Sequence, residues 1–198
     1  MMTANTSRLE RREVLARVLA ARGDALVVSG LGISTYDLFA VSPAPENAYF
    51  WNAMGLTVSA GLGLAIAQPE RRVLVVTGDG EMIMGIGSLC VIAAQAPANL
   101  SILVFDNEGF EETGGQAGLT GAGCDIAGIA MGAGIARAMA VRDAGGVDKL
   151  PRFLLEQPGP ALAVAKVGPS ADAPVYPSMD GPGLVRTFRA AVLGETSA

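Results

Sequence analysis

Residues 73–109 read VLVVTGDGEMIMGIGSLCVIAAQAPANLSILVFDNEG, and the order of features in this stretch decides the fold. A β-branched run, Val73–Thr77, ends in Gly78-Asp79-Gly80. A second apolar run, Leu100–Asp106, ends in Asn107-Glu108-Gly109. Neither run alternates polar and apolar residues, the pattern of strands covered on both faces. Between them the spacing predicts a helix over 85–96, stopped by Pro97. Strand, helix and strand in succession make a parallel crossover unit.

The same alternation continues in both directions. Towards the N-terminus, Arg8–Arg22 carries Leu9, Val14, Leu15, Val18 and Leu19 at helical spacing, with Gly23 as a C-cap. A strand follows in DALVVSGLG, then a Gly/Ala-rich helix over Met54–Ala67, ended by Pro69. Towards the C-terminus, helices are expected over 125–135, 148–156 and 184–193, and strands over 138–142 and 161–166. The expected fold class is α/β, a single doubly wound, mostly parallel sheet with helices on both faces. Residues 1–7 read as a disordered leader and 8–198 as one domain, with 168–182 a surface excursion.

Composition narrows the function. At 198 residues and 51% hydrophobic, the chain can bury a sizeable core, which excludes disorder for its bulk. A net charge of −5 argues against a nucleic-acid partner. There is no histidine, and Cys90 and Cys124 have no metal-ligand spacing. Zinc sites of the Cys/His kind, iron–sulfur clusters and a histidine general base are excluded. The N-terminus is charged where a signal peptide would be apolar, and the low-polarity run Ala53–Ala67 is too short to span a bilayer. The expectation is a cytoplasmic protein with no membrane association.

In an open parallel sheet, ligands bind beyond the carboxyl ends of the strands. Three chemically notable loops leave strand ends: Ser29–Thr35 (SGLGIST), Thr77–Glu81 (TGDGE) and Asp106–Gln116 (DNEGFEETGGQ). Gly78 and Gly80 allow close backbone approach, and free amides there cradle phosphate oxygens. Taken alone, this triplet is more often an ordinary strand-to-helix turn. Asn107 stands 28 residues after Asp79, at the end of the next strand. Asp79, the Asn107 side-chain oxygen and the Gly109 carbonyl form an oxygen set suited to Mg²⁺, whose remaining positions a diphosphate and water would fill. Ser34 and Thr35 are either hydroxyl donors to phosphate or N-caps of a helix beginning at Tyr36.

The GDG triplet, followed after a spacer in the mid-twenties by Asp106-Asn107 and Gly109, resembles the motif of thiamin-diphosphate enzymes. The resemblance covers roughly residues 8–167. It implies thiamin diphosphate and Mg²⁺ as cofactors, with Asp79, Asn107 and Gly109 as metal ligands. Gly78, Gly80, Glu81 and Phe110 would then line the cofactor. Trp51–Gly55 (WNAMG) resembles the segment in which a bulky apolar residue bends the cofactor. Met54 matches that catalytically required wedge, and the Asn52 carbonyl matches the acceptor for the pyrimidine amino group. Two positions depart from the pattern: Asp106 replaces the first asparagine, and Glu81 adds a negative charge beside the diphosphate.

Members of this family combine such a domain with a pyrimidine-binding domain that supplies an activating glutamate. No such glutamate is identifiable in this chain. The resemblance therefore implies a partner subunit that carries it, an oligomer, and a cofactor held between the two chains. The length and the segment NEGFEETGGQ resemble the β subunits of sulfopyruvate and phosphonopyruvate decarboxylases. The implied reaction is decarboxylation of a small-molecule 2-oxoacid. A carboligase subunit of the acetolactate-synthase kind and a non-catalytic cofactor-binding subunit remain as alternatives. Thr113 and Gln116 are candidates for the substrate head group. Glu111 and Glu112 either meet arginines of the partner or form a solvated loop.

Overall fold

A computed structural model of the chain describes residues 8–51, 53–169 and 172–195. The expected leader, 1–7, and Asn52 lie outside the described residues. Helix α1 (Arg11–Leu19) is capped by the Glu10 carboxylate, which accepts from the amides of Arg12 and Glu13. Strand β1 (Leu26–Ser29) leads to α2 (Ile33–Val41), β2 (Asn47–Tyr49) and α3 (Thr57–Ala67). Strand β3 (Val73–Gly78) runs into α4 (Asp79–Met84) and then α5 (Ser88–Gln95). Strand β4 (Leu100–Asp106) is followed by a small hairpin, β5 (Gly109–Phe110) and β6 (Gln116–Ala117), with a 3₁₀ turn at its tip. Then come α6 (Ile126–Ala133), β7 (Arg137–Val141), α7 (Ala144–Val147), a π-helical turn over Arg152–Glu156, β8 (Ala161–Lys166) and α8 (Gly181–Leu193).

Six strands form one sheet in the order β2-β1-β3-β4-β8-β7, and every pairing in it is parallel. Successive side chains of each strand enter opposite cores, as the pleat requires. On one face Leu26, Val28, Val73, Val75, Ile102 and Val104 pack with Leu62, Ile92 and Ile126 of α3, α5 and α6. On the other, Val27, Leu74, Val76, Leu103 and Phe105 pack with Leu15, Val18 and Leu38 of α1 and α2 and with Leu154. This is the doubly wound α/β arrangement with helices on both faces.

Several expected boundaries move. The segment 54–56 is a turn, because Gly55 has φ +83°, and α3 begins only at Thr57. The helix expected over 85–96 begins only at Ser88, as α5, and an unforeseen short helix, α4, precedes it across a break at Gly85–Gly87. The break falls where two backbones touch: a Cβ on Gly85 would lie 2.2 Å from the Gly55 carbonyl oxygen. The helix expected over 148–156 is a π-helical turn over Arg152–Glu156 instead, preceded by the short α7 at Ala144–Val147. Strand β2 was not foreseen. Among the described residues, no helix is long and apolar enough to cross a membrane.

Candidate functional site

Strands β1, β3 and β4 are neighbours, so the loops at their carboxyl ends lie side by side. The chain leaves β1 for β2 on one side and returns to β3 on the other. The crevice therefore sits at a reversal of strand order, where ligands bind in open α/β sheets. It contains a cavity of about 140 Å³. Ser34, Met54, Gly78, Asp79, Gly80, Glu81, Asn107, Gly109 and Phe110 all line it. These are nine of the eleven residues singled out above as cofactor-binding. Asn52 lies outside the described residues, and Thr35 does not line the cavity. The Thr35 hydroxyl donates to the Gly30 carbonyl at 2.7 Å and lies 2.7 Å from Ser29 Oγ. Neither Ser34 nor Thr35 caps a helix, since α2 begins at Ile33 behind Gly32, which has φ +65°.

Asp79 is 2% exposed at the first turn of α4. Thr120 Oγ1 lies 2.7 Å from Asp79 Oδ2 and 2.8 Å from Asp106 Oδ1. One hydroxyl hydrogen cannot serve two carboxylates. Asp106 has a second counterpart, Lys166 Nζ at 2.7 Å, because the two residues are directly paired in β4 and β8. That ion pair accounts for an aspartate where the resembling pattern has asparagine. Asp79 has no cationic side chain against it among the described residues. Burial raises its pKa, the Thr120 hydrogen bond opposes that rise, and nearby Asp106 adds to it. A buried carboxylate without a counter-ion is unfavourable unless a cation joins it.

The residues fit such a cation. A Cβ on Gly118 would stand 3.1 Å from Asp79 Oδ2 and 2.9 Å from the Gly109 amide nitrogen, so glycine there keeps Asp79 and the Asn107–Gly109 turn close together. Asn107 Oδ1 accepts from the Gly109 amide at 3.1 Å. Between them Glu108 holds φ +62°, a left-handed conformation that is strained for glutamate. Its carboxylate is tied by Lys166 at 2.9 Å and Arg8 at 2.8 Å, which lower its pKa and hold the turn. Among the described residues, no three His, Cys, Asp or Glu side chains cluster around a metal position. The donor set here is one carboxylate, one amide and one carbonyl, a hard-oxygen set of the kind Mg²⁺ takes with phosphate and water.

Glu81 lines the cavity, yet its carboxylate is committed inside the fold. Oε2 accepts from the Leu31 amide at 3.0 Å and the Thr77 hydroxyl at 2.8 Å, and Oε1 accepts from the Thr57 hydroxyl. Gly30 makes room for it, since a Cβ there would overlap the carboxylate at 1.8 Å. The phenyl ring of Phe110 lies over Gly80, where a Cβ would meet it at 2.4 Å. Glu111 and Glu112 bind within their own chain: Glu111 Oε2 pairs with Arg11 Nη1 at 2.8 Å, and Glu112 Oε1 accepts from the Tyr36 hydroxyl at 2.6 Å. Thr113 and Gln116 are exposed and hydrogen-bond to each other. Two residues were missed by sequence reasoning. Arg11 lines the cavity at 3% exposure. It begins the buried stripe Arg11, Val14, Leu15, Val18, a spacing that marks it. Thr120 sits in a short 3₁₀ turn of otherwise small residues, with no local signal.

The chain resembles known proteins over most of its length. Residues 36–165 match the family described as thiamine pyrophosphate enzyme, C-terminal TPP binding domain. The β subunit of sulfopyruvate decarboxylase from Methanothermobacter thermautotrophicus is 35% identical over 190 residues, covering 95% of this chain and 98% of that one. Phosphonopyruvate decarboxylase from Streptomyces viridochromogenes is also 35% identical over 190 residues, and there the chain spans 47% of the relative's length. In fold, the chain superposes on the thiamine diphosphate-dependent 4-hydroxybenzoylformate decarboxylase of Rhodococcus jostii RHA1 with a TM-score of 0.67 at 20% identity, over 87% of this chain and 35% of that one. With the family match spanning well over half of its residues, the chain belongs to the thiamin-diphosphate enzymes, as their C-terminal cofactor-binding domain.

Proposed function

We propose that the chain is the β-type subunit of a thiamin-diphosphate-dependent 2-oxoacid decarboxylase of the sulfopyruvate and phosphonopyruvate kind. It holds the diphosphate end of the cofactor through Mg²⁺ and is completed by a partner subunit that brings the pyrimidine domain and its glutamate. The observation that carries this reading is the convergence of Asp79, Asn107 and Gly109 on one cavity at a reversal of strand order. Similarity to a β subunit along nearly its whole length supports the two-chain reading. So does the cavity, whose 140 Å³ falls short of the roughly 300–1,000 Å³ of a complete small-molecule site.

Bound thiamin diphosphate supplies the carbon nucleophile and the electron sink for loss of CO₂. The chain's own residues bind and orient it. Asp79, Asn107 and the Gly109 carbonyl would hold the cation, and the amides at the start of α4 would be available to the phosphates. Met54 stands in the cavity wall as the apolar wedge. Phe110, whose ring lies over Gly80, would cover the diphosphate end.

Thermal unfolding with Mg²⁺ and thiamin diphosphate tests the reading, on the full chain alone and co-expressed with an α-type partner. At 100 times Kd, binding to the folded state adds about 2.7 kcal/mol. The rise in Tm is expected for the native chain and absent in Asp79→Ala. In the assembled complex, CO₂ release from sulfopyruvate and phosphonopyruvate identifies the substrate. A native complex with no rise in Tm would overturn the proposal.

A further inference from the structure

The cavity wall contains a chain of side chains that the cofactor reading leaves unused. Arg11 opens α1, yet its side chain is buried. Its Nε donates to Asp37 Oδ2 at 2.8 Å, and its Nη1 donates to Glu111 Oε2 at 2.8 Å and to the Gly168 carbonyl at 3.3 Å. Asp37 is gripped from its other oxygen by Arg12 Nε at 2.9 Å, so the Arg11 guanidinium has a fixed seat. The same Glu111 Oε2 accepts from Asn107 Nδ2 at 2.9 Å. The relay thus joins residue 11 to residue 111 and ends on the amide expected to hold the cation.

An asparagine amide has two edges of similar shape and opposite polarity. Only the oxygen edge can face a cation. An ionised carboxylate carries lone pairs and no hydrogen, so it admits only the NH₂ edge. With that edge turned to Glu111, Oδ1 is left for the cation. One lone pair of Oδ1 takes the Gly109 amide hydrogen, which favours the same orientation and leaves the other lone pair for a cation. A flipped amide would set two lone-pair carriers, Oδ1 and the Glu111 carboxylate, against each other. It would also turn N–H groups toward the metal.

We propose that Glu111, anchored by Arg11, is a positioning residue that sets the polarity of the Asn107 amide and so makes its oxygen a metal ligand. This assignment rests on the Mg²⁺ and thiamin diphosphate reading above. Partners of this kind around a metal ligand are worth about 10–100-fold in metal affinity.

The test titrates Mg²⁺ at fixed thiamin diphosphate and reads the midpoint of the cofactor-dependent rise in Tm, with the Tm of the cofactor-free protein as a separate readout. It uses the full chain, alone and co-expressed with an α-type partner. Glu111→Gln is expected to raise the Mg²⁺ midpoint about tenfold or more. Asn107→Asp has two equivalent oxygens and no polarity to set. In that background, Glu111→Gln is expected to leave the midpoint unchanged or lower it, since it removes a neighbouring negative charge. A Glu111 that merely supports the loop would raise the midpoint equally in both backgrounds, which overturns the proposal, as does an unshifted Glu111→Gln. Should Glu111→Gln unfold the chain, Arg11→Lys carries the same comparison: a smaller rise that vanishes with Asn107→Asp. A native protein with no Mg²⁺-dependent rise in either form removes the cofactor site itself. A native response with unshifted variants removes only the positioning role.

Discussion

At the scale of single residues, Glu81 shows how a charge that looks misplaced in sequence is used. Read along the chain, it is an extra negative charge beside a diphosphate. In the fold it is 6% exposed and accepts three hydrogen bonds that tie the loop after β1, the start of α3 and the end of β3. Glu81→Ala strands three donors and is expected to cost about 3 kcal/mol. At roughly 2–4 °C per kcal/mol, calorimetry should record a fall in Tm of about 6–12 °C. Asp79 predicts the opposite sign. Asp79→Asn removes one of two carboxylates around the Thr120 hydroxyl, so the cofactor-free chain is expected to keep or gain stability, by about 1 kcal/mol. On the proposed reading the same variant is expected to show no Mg²⁺-dependent rise in Tm, and a scan with and without Mg²⁺ separates the two effects. Asp79 and Asn107 were legible in the sequence because their chemistry is local to two strand ends. The partners of Glu81 were not, because Leu31 and Thr57 are distant in sequence and only the fold brings them to it.

Among the elements, strands buried on both faces were legible to the residue: β4 and β8 occupy the expected 100–106 and 161–166. Apolar continuity marks such strands without help from neighbours. Helix starts were not legible where glycines govern them, since Gly55 and Gly85 meet through tertiary contact that no local pattern reports. Strand β2 is three residues long at the sheet edge, too short to show a period. Helix α3 offers a paired prediction. A Cβ on Gly61 would lie 2.2 Å from Val75 Cγ2, whereas Gly63 has nothing within 4 Å. Gly61→Ala pushes α3 off the sheet and is expected to destabilise by about 1–3 kcal/mol. Gly63→Ala gains helix propensity and is expected to stabilise by up to about 1 kcal/mol. Denaturant midpoints of the two variants should move in opposite directions.

For the whole molecule, the ties that cross between distant segments are ionic as well as apolar. Arg11 links α1, α2, the loop after β4 and the chain beyond β8. Breaking a buried ion pair costs about 3–5 kcal/mol, and Arg12 still faces Asp37, so Arg11→Met is expected to cost about 2 kcal/mol. The urea midpoint should fall with its slope unchanged, as for a loss of stability without a change in compactness. The all-parallel order of the sheet has a consequence for how the chain is made. Ser101 of β4 pairs with Ala161 of β8, sixty residues later in the sequence. At about 5–20 residues per second, a ribosome takes several seconds to deliver that partner. For that interval β4 is the outer strand of a half-built sheet, largely apolar and offering unpaired amides to any neighbouring nascent chain. The same connectivity that gathers the three loops at one end thus leaves newborn copies of this chain exposed to edge-to-edge association until β8 arrives.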